Sequence, residues 1–241
     1  MKPFFFFFSR PEDKAADNEY EAFMKFGDLN PEQLRQVRIH SGQLPKLNLS
    51  NYSGIFIGGG PYCVSDLPTK KSTEQKKCEA AINKIMDEVA GQDFPLLAAC
   101  YIGVVIEHQG GVISRQYPEV IGGYKIELSQ EGKQDKLLKD LPDGFVAFSG
   151  HKESCDKLPA NSVVLAYSST CPTQLLRIKN NIYACQFHPE LDNIGLALRI
   201  QIYKNYGYFP PEDAGKLVKE AAQQAVIEPV KILRNFVKTY Q

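Results

Sequence analysis

The feature that most constrains this chain is an alternation running through its first half: short aromatic or β-branched runs separated by longer amphipathic stretches. The first run is Phe4 to Phe8, five consecutive phenylalanines, which reads as a buried strand. Residues 18–26 and 31–39 read as helices, the second with Asn30 as N-cap and Pro31 at its first position. "SGIFIGGGP" is a strand that closes in a glycine turn. Residues 72–90 place Ala81, Ile82, Ile85, Met86 and Val89 on a helical period, and residues 95–99 form another strand. Strand, helix, strand, helix in this order predicts a parallel sheet with helices on both faces.

The second half changes character. Between Gly111 and Phe187 the runs "GVIS", "YKIEL", "FVAF", "VVLAY", "QLLRI" and "NIYACQF" are separated by Gly, Pro, Asn and Asp turns, which predicts a mainly antiparallel extension of the sheet. Helix returns at residues 191–203 and 217–225, with C-terminal helices at about 211–241. No internal repeat or linker divides the chain, so one α/β domain over residues 1–241 is expected.

Charge and cysteine content exclude several classes. Lys+Arg and Asp+Glu balance at 28 each, so no global field draws the chain to nucleic acid or an anionic membrane. The Phe run is shorter than the roughly 7–15 residues of a signal-peptide core, and no stretch approaches the about 20 apolar residues of a membrane span. The six cysteines form no CxxC pair, and no His, Cys or carboxylate set has metal-ligand spacing. A reducing, cytoplasmic setting without metal or cofactor is expected.

Three short segments carry candidate chemistry. In "FPLLAACYIGVV" the strand ends at Cys100 and a helix follows over residues 101–108. That is the layout of a nucleophile elbow, although a cysteine in an apolar run also reads as core packing. In "GGGPYCVSD" a glycine turn holds out main-chain N–H groups, Gly60 foremost, that can stabilise an oxyanion. The turn lacks the spacing of a nucleotide-binding loop. In "CQFHPEL" an imidazole, His188, stands two positions before a carboxylate, Glu190, as a general base and its orienting acid would. Cys100 meets that pair only if their strands are neighbours.

"IFIGGGP", "PLLAACY" and "QFHPE", in this order and spacing, resemble class I (triad) glutamine amidotransferases, closest to the stand-alone GMP synthase-like members. The stretch "GHKESCDKLPANSVVLAYSSTCPTQLLRI" extends the resemblance, which covers about residues 5–208. It implies a flavodoxin-like, three-layer α/β fold with Cys100 as nucleophile, His188 as base and Glu190 as its orienting acid. Gly60 and Tyr101 would supply the two oxyanion N–H groups. The implied reaction hydrolyses the glutamine side-chain amide through a γ-glutamyl thioester, without a cofactor, and hands ammonia to a separate synthetase.

The sequence departs from that family at two positions. The usual glycine two residues after the nucleophile is Ile102 here, with Gly103 one place late, and a glutamine that often helps to hold the substrate is Val104. A β-branched Ile102 is expected to press on the elbow and slow glutamine hydrolysis, and exchanging it with Gly103 to relieve that brake. The departures leave room for a γ-glutamyl peptide or conjugate hydrolase, or for a non-catalytic binding subunit. His151 reads as structural or channel-lining, Cys63 as packing, and His40 and His108 lack a partner pattern.

Overall fold

The computed structural model describes residues 2–42 and 44–241. The first half runs β1 (Phe4–Phe8), α1 (Asp13–Gly27), β2 (Leu34–Arg38), β3 (Gly54–Ile57), α2 (Thr73–Gln92), β4 (Leu96–Ala99) and α3 (Gly103–His108). A strand-rich segment follows: β5 (Val112–Ser114), β6 (Glu119–Leu128), the single turn α4 (Gln130–Lys133), β7 (Gly144–His151), β8 (Ser154–Lys157), β9 (Ser162–Tyr167), β10 (Leu175–Ile178) and β11 (Ile182–Cys185). Three helices end the chain: α5 (Asn193–Tyr203), α6 (Ala214–Ala222) and α7 (Val230–Tyr240).

Nine strands form one sheet in the order β2-β1-β3-β4-β11-β10-β9-β6-β7. The contacts from β2 through β11 are parallel, and those from β11 to β7 are antiparallel. This is the mostly parallel α/β sheet that the alternation predicts, with its antiparallel extension, in the flavodoxin-like arrangement that the resemblance implies. Strands β5 and β8 make a separate antiparallel pair.

The phenylalanine run explains the layering, because side chains alternate between faces along a strand. Phe4, Phe6 and Phe8 pack on one side with Phe23 of α1 and Ile232, Leu233 and Phe236 of α7. Phe5 and Phe7 pack on the other with Ile82, Ile85 and Met86 of α2 and Val105 of α3. A third cluster seats Leu196 and Ile200 of α5 against Phe148 of β7.

Two local expectations are corrected. Residues 31–39 are not a helix. Asn30 Oδ1 accepts N–H bonds from Glu32 (3.0 Å) and Gln33 (3.1 Å), which caps one turn, and the chain then pairs with β1 from Leu34 onward. Ladder hydrogen bonds at a sheet edge outweigh a weak local helix preference. The elbow helix starts at Gly103, not Tyr101, because residues 100–102 are spent on the turn itself.

Candidate active site

The loops that carry the three motifs leave the same edge of the sheet. β1, β3, β4 and β11 are mutually parallel, so Ser9–Arg10, the glycine turn, Cys100 and His188 all follow carboxyl ends of strands, where open α/β sheets place their sites. β11 pairs with β4 in the register Ala184 to Ala98 and Cys185 to Ala99, and Cys100 N donates to Cys185 O at 2.7 Å. The strands leading to Cys100 and to His188 are therefore neighbours, as a joint site requires.

Cys100 has φ 63°, a left-handed conformation that a side chain with Cβ adopts at a cost of roughly 1–2 kcal/mol. It is half-buried, whereas the other five cysteines are buried. Burial pushes the thiols of Cys63 and Cys78 up to about 12 and those of Cys155 and Cys171 up to about 11, so these four are held protonated at neutral pH.

His188 and Cys100 line the same pocket and interact electrostatically. Ring Nδ1 lies 2.8 Å from Glu190 Oε1, which leaves Nε2 for the sulfur. His188 N donates to Phe148 O at 2.9 Å and anchors the loop to β7. Burial alone would lower the imidazole. The charges of Glu190 and Cys100 outweigh it and raise His188 above the ordinary histidine range. Burial likewise opposes ionisation of Glu190, but His188 and the nearby Arg199 guanidinium hold this carboxyl below the usual range.

Beneath the pair lies a layer of buried charge that no local motif announced. Arg10 Nε donates to Glu19 Oε1 at 2.9 Å and its Nη1 to Tyr203 Oη at 2.9 Å. Arg199 Nη1 stands 3.5 Å from Glu19 Oε1 and 3.8 Å from Glu190 Oε1. Two guanidinium groups thus balance two carboxylates in this layer. Glu19, His188 and Glu190 also offer ligand atoms within 4.8 Å of one another, but the two guanidinium groups occupy the counter-charge position that a cation would take. The only sequence signal here is one arginine, Arg199, within the apolar helix "NIGLALRIQIY".

The glycine turn is a site of close approach. A Cβ on Gly58 would stand 2.4 Å from Glu19 Oε2, on Gly59 2.5 Å from Arg10 Nη2, and on Gly60 2.2 Å from Ser9 Oγ. Any side chain there would displace the charged layer. Gly60 lines the pocket with Cys100, and among the described residues its N–H has no hydrogen-bond partner. Tyr101 N–H, the other expected oxyanion donor, turns back to Ala99 O at 2.7 Å in a tight turn around Cys100.

Two pockets are lined in part by Cys100. The larger, about 440 Å³, is lined by Arg10, Gly60, Cys100, His188, Arg199 and Tyr208 among others. The smaller, about 280 Å³, shares Gly60, Cys100 and Tyr208 and adds Tyr101, Lys152 and Glu153. His151 is outside the triad. Its Nε2 pairs with Glu119 at 3.0 Å and its Nδ1 with Glu153 O at 3.0 Å, so it braces a loop at the pocket wall. His108 meets Asp87 on the surface at 2.9 Å.

Ile102 departs from expectation. Its φ of −87° and ψ of −12° are unstrained, and its side chain is buried in the core on the α2 face. Glycine is needed one place later, because a Cβ on Gly103 would stand 2.6 Å from Val64 Cγ2 and 3.1 Å from Glu153 Oε1.

A mostly parallel sheet with an elbow cysteine, a histidine and a carboxylate at its carboxyl edge defines the class to which known proteins can be compared. The model of the family "Glutamine amidotransferase class-I" matches residues 22–193, and the chain belongs to that family. The glutamine-hydrolyzing GMP synthase of Borrelia garinii subsp. bavariensis is 24% identical over 217 residues, which are 86% of this chain and 38% of that protein. The chain thus spans well under half the length of that relative. A protein of Pyrococcus abyssi that is named as one subunit of glutamine-hydrolyzing GMP synthase is 29% identical over 168 residues, 66% of this chain and 80% of that protein. A glutamine amidotransferase from Thermotoga maritima has the same fold, with a TM-score of 0.75 at 17% identity and coverage of 100% and 98%. Among the described residues no helix is long and apolar enough to cross a membrane.

Proposed function

We propose that the chain hydrolyses the side-chain amide of glutamine, with Cys100 as nucleophile, His188 as base and Glu190 as the acid that orients and charges it. The observation that carries this reading is the left-handed turn at Cys100 in the wall of a pocket that His188 also lines, while His188 Nδ1 meets Glu190 at 2.8 Å. Sγ adds to the amide carbon as its proton passes to His188, and the oxyanion that forms is met by Gly60 N–H. His188 then gives its proton to the nitrogen, the C–N bond breaks and ammonia leaves a γ-glutamyl thioester. Water adds to the thioester with its proton taken by His188, and glutamate departs as Sγ recovers a proton. Tyr101 N–H becomes the second oxyanion donor only by giving up Ala99 O.

The ammonia is destined for a separate acceptor. Support comes from the relative named as one subunit of glutamine-hydrolyzing GMP synthase. We read residues 1–241 as one such domain acting in a reducing, cytoplasmic compartment without a cofactor. The test incubates the purified chain with glutamine or with γ-glutamyl anilide. Equal yields of ammonia and glutamate from glutamine, lost in Cys100→Ala, are expected. Aniline release without ammonia release would move the reading to a conjugate hydrolase, and neither product would mark a binding subunit.

A further inference from the structure

The carboxylate of Glu19, carried by α1 and fully buried, stands where the two halves of the site meet. Its Oε1 accepts Gly59 N–H at 3.1 Å and Arg10 Nε at 2.9 Å, and lies 3.5 Å from Arg199 Nη1. From the other side, Ser9 Oγ donates to Gly59 O at 3.0 Å. That oxygen shares a peptide plane with Gly60 N, and in a trans peptide the N–H points away from the C=O. Glu19 and Ser9 thus fix the planes on both sides of Gly59, and with them the direction of the Gly60 N–H beside Cys100.

The other half of the site is reached through Arg199, which is 2% exposed. Among the described residues none of its guanidinium nitrogens makes a hydrogen bond. Charge holds it between Glu19 Oε1 at 3.5 Å and Glu190 Oε1 at 3.8 Å. Glu190 Oε1 is also the atom that meets His188 Nδ1 at 2.8 Å. A guanidinium shared between two carboxylates leaves that oxygen to the imidazole. Without the charge on Glu19, Arg199 has one carboxylate left to approach and competes with His188 for the same oxygen. Glu19 lines neither pocket that Cys100 lines, so its effect on the reaction passes through Gly59 and Arg199.

We infer that Glu19 is a positioning residue that ties the oxyanion turn to the triad acid: one carboxylate holds Gly59 in place and keeps Arg199 from drawing Glu190 off His188. The role rests on the glutaminase reading and adds to it a residue that touches no reacting atom.

The test measures kcat and KM for glutamine in the unaltered chain, in Glu19→Gln, in Arg199→Met and in the double variant, each rate referred to the folded fraction from urea unfolding. Loss of Glu19 displaces groups that act in the transition state and spares the pocket walls. Glu19→Gln is therefore expected to lower kcat roughly 100-fold with KM within about 3-fold. Removing Arg199 as well takes away the competitor and restores the charge balance, so the double variant should be about 10-fold faster than Glu19→Gln. A purely structural role predicts the reverse, because a second buried deletion then adds to the first. An unchanged kcat in folded Glu19→Gln, a loss confined to KM, or a double variant no faster than Glu19→Gln overturns the inference. Should Glu19→Gln fail to fold, Glu19→Asp keeps the charge but draws the carboxylate back by one methylene. About 10-fold lower kcat at constant KM is expected there, and an unchanged kcat overturns the role. If the unaltered chain turns over no glutamine, the glutaminase reading fails and the role is read instead from the His188 Nδ1–H proton resonance by NMR. An upfield move in Glu19→Gln that reverses in the double variant supports it, and a resonance that stays in place overturns it.

Discussion

At the scale of single residues, the site pairs a strained cysteine with an imidazole whose charge is set from behind. Glu190 accepts the Nδ1 proton and is itself held ionised by His188 and Arg199, so Glu190 and His188 titrate as a pair beside a fixed guanidinium charge. The sign of the effect is fixed. Glu190 raises His188, which keeps its proton to higher pH, and activity that needs an imidazolium is lost as pH rises through that raised value. In Glu190→Gln the raising charge is gone, so the alkaline limb of kcat/KM for glutamine should move to lower pH by about one unit or more. The rate at the optimum should fall on the order of 100-fold. A pH–rate profile of the two proteins checks it, and an unmoved alkaline limb would detach Glu190 from His188.

At the scale of elements, much was legible in sequence because it rests on local signals. The strand before the glycine turn, the helix capped by Ser72 Oγ and the elbow after β4 each announce themselves within a dozen residues. Residues 34–38 misled because their strand state comes from pairing with β1, which sequence spacing does not reveal. Strand β8 escaped for the same reason, being three residues past β7 and paired only with β5. The charged layer was illegible: Arg10 and Tyr203 are 193 residues apart and join only when α5 closes over α1. The shifted glycine belongs to this scale too. Exchanging Ile102 and Gly103 would drive a branched side chain into Val64 and Glu153 while removing a buried one from the core. Overpacking costs about 1–3 kcal/mol and a lost Ile about 2–5. The exchanged protein should unfold at clearly lower urea concentration and hydrolyse glutamine no faster; a folded, faster variant would restore the brake.

At the scale of the whole molecule, the final helix belongs to the core although it lies outside the segment matched by the family model. Ile232, Leu233 and Phe236 are fully buried, and the Phe236 ring lies 6.1 Å from Phe4 and 4.9 Å from Phe56. Burial of such side chains contributes about 1.5–3 kcal/mol each, which together approaches the net stability of a domain. A chain ended at Glu228 should therefore lose its cooperative thermal transition by calorimetry, and retention of a sharp transition would make α7 an appendage. The strand it covers has a further consequence. Because β1 is phenylalanine at every position, a shift by one residue exchanges its two faces without exposing a polar group, so hydrophobic patterning carries no information about where β1 stops. That information is stored downstream. Only in the observed alignment does Ser9 Oγ reach Gly59 O at 3.0 Å and Arg10 meet Glu19, so the proofreader of this all-phenylalanine strand is the same charged floor that underlies the reaction.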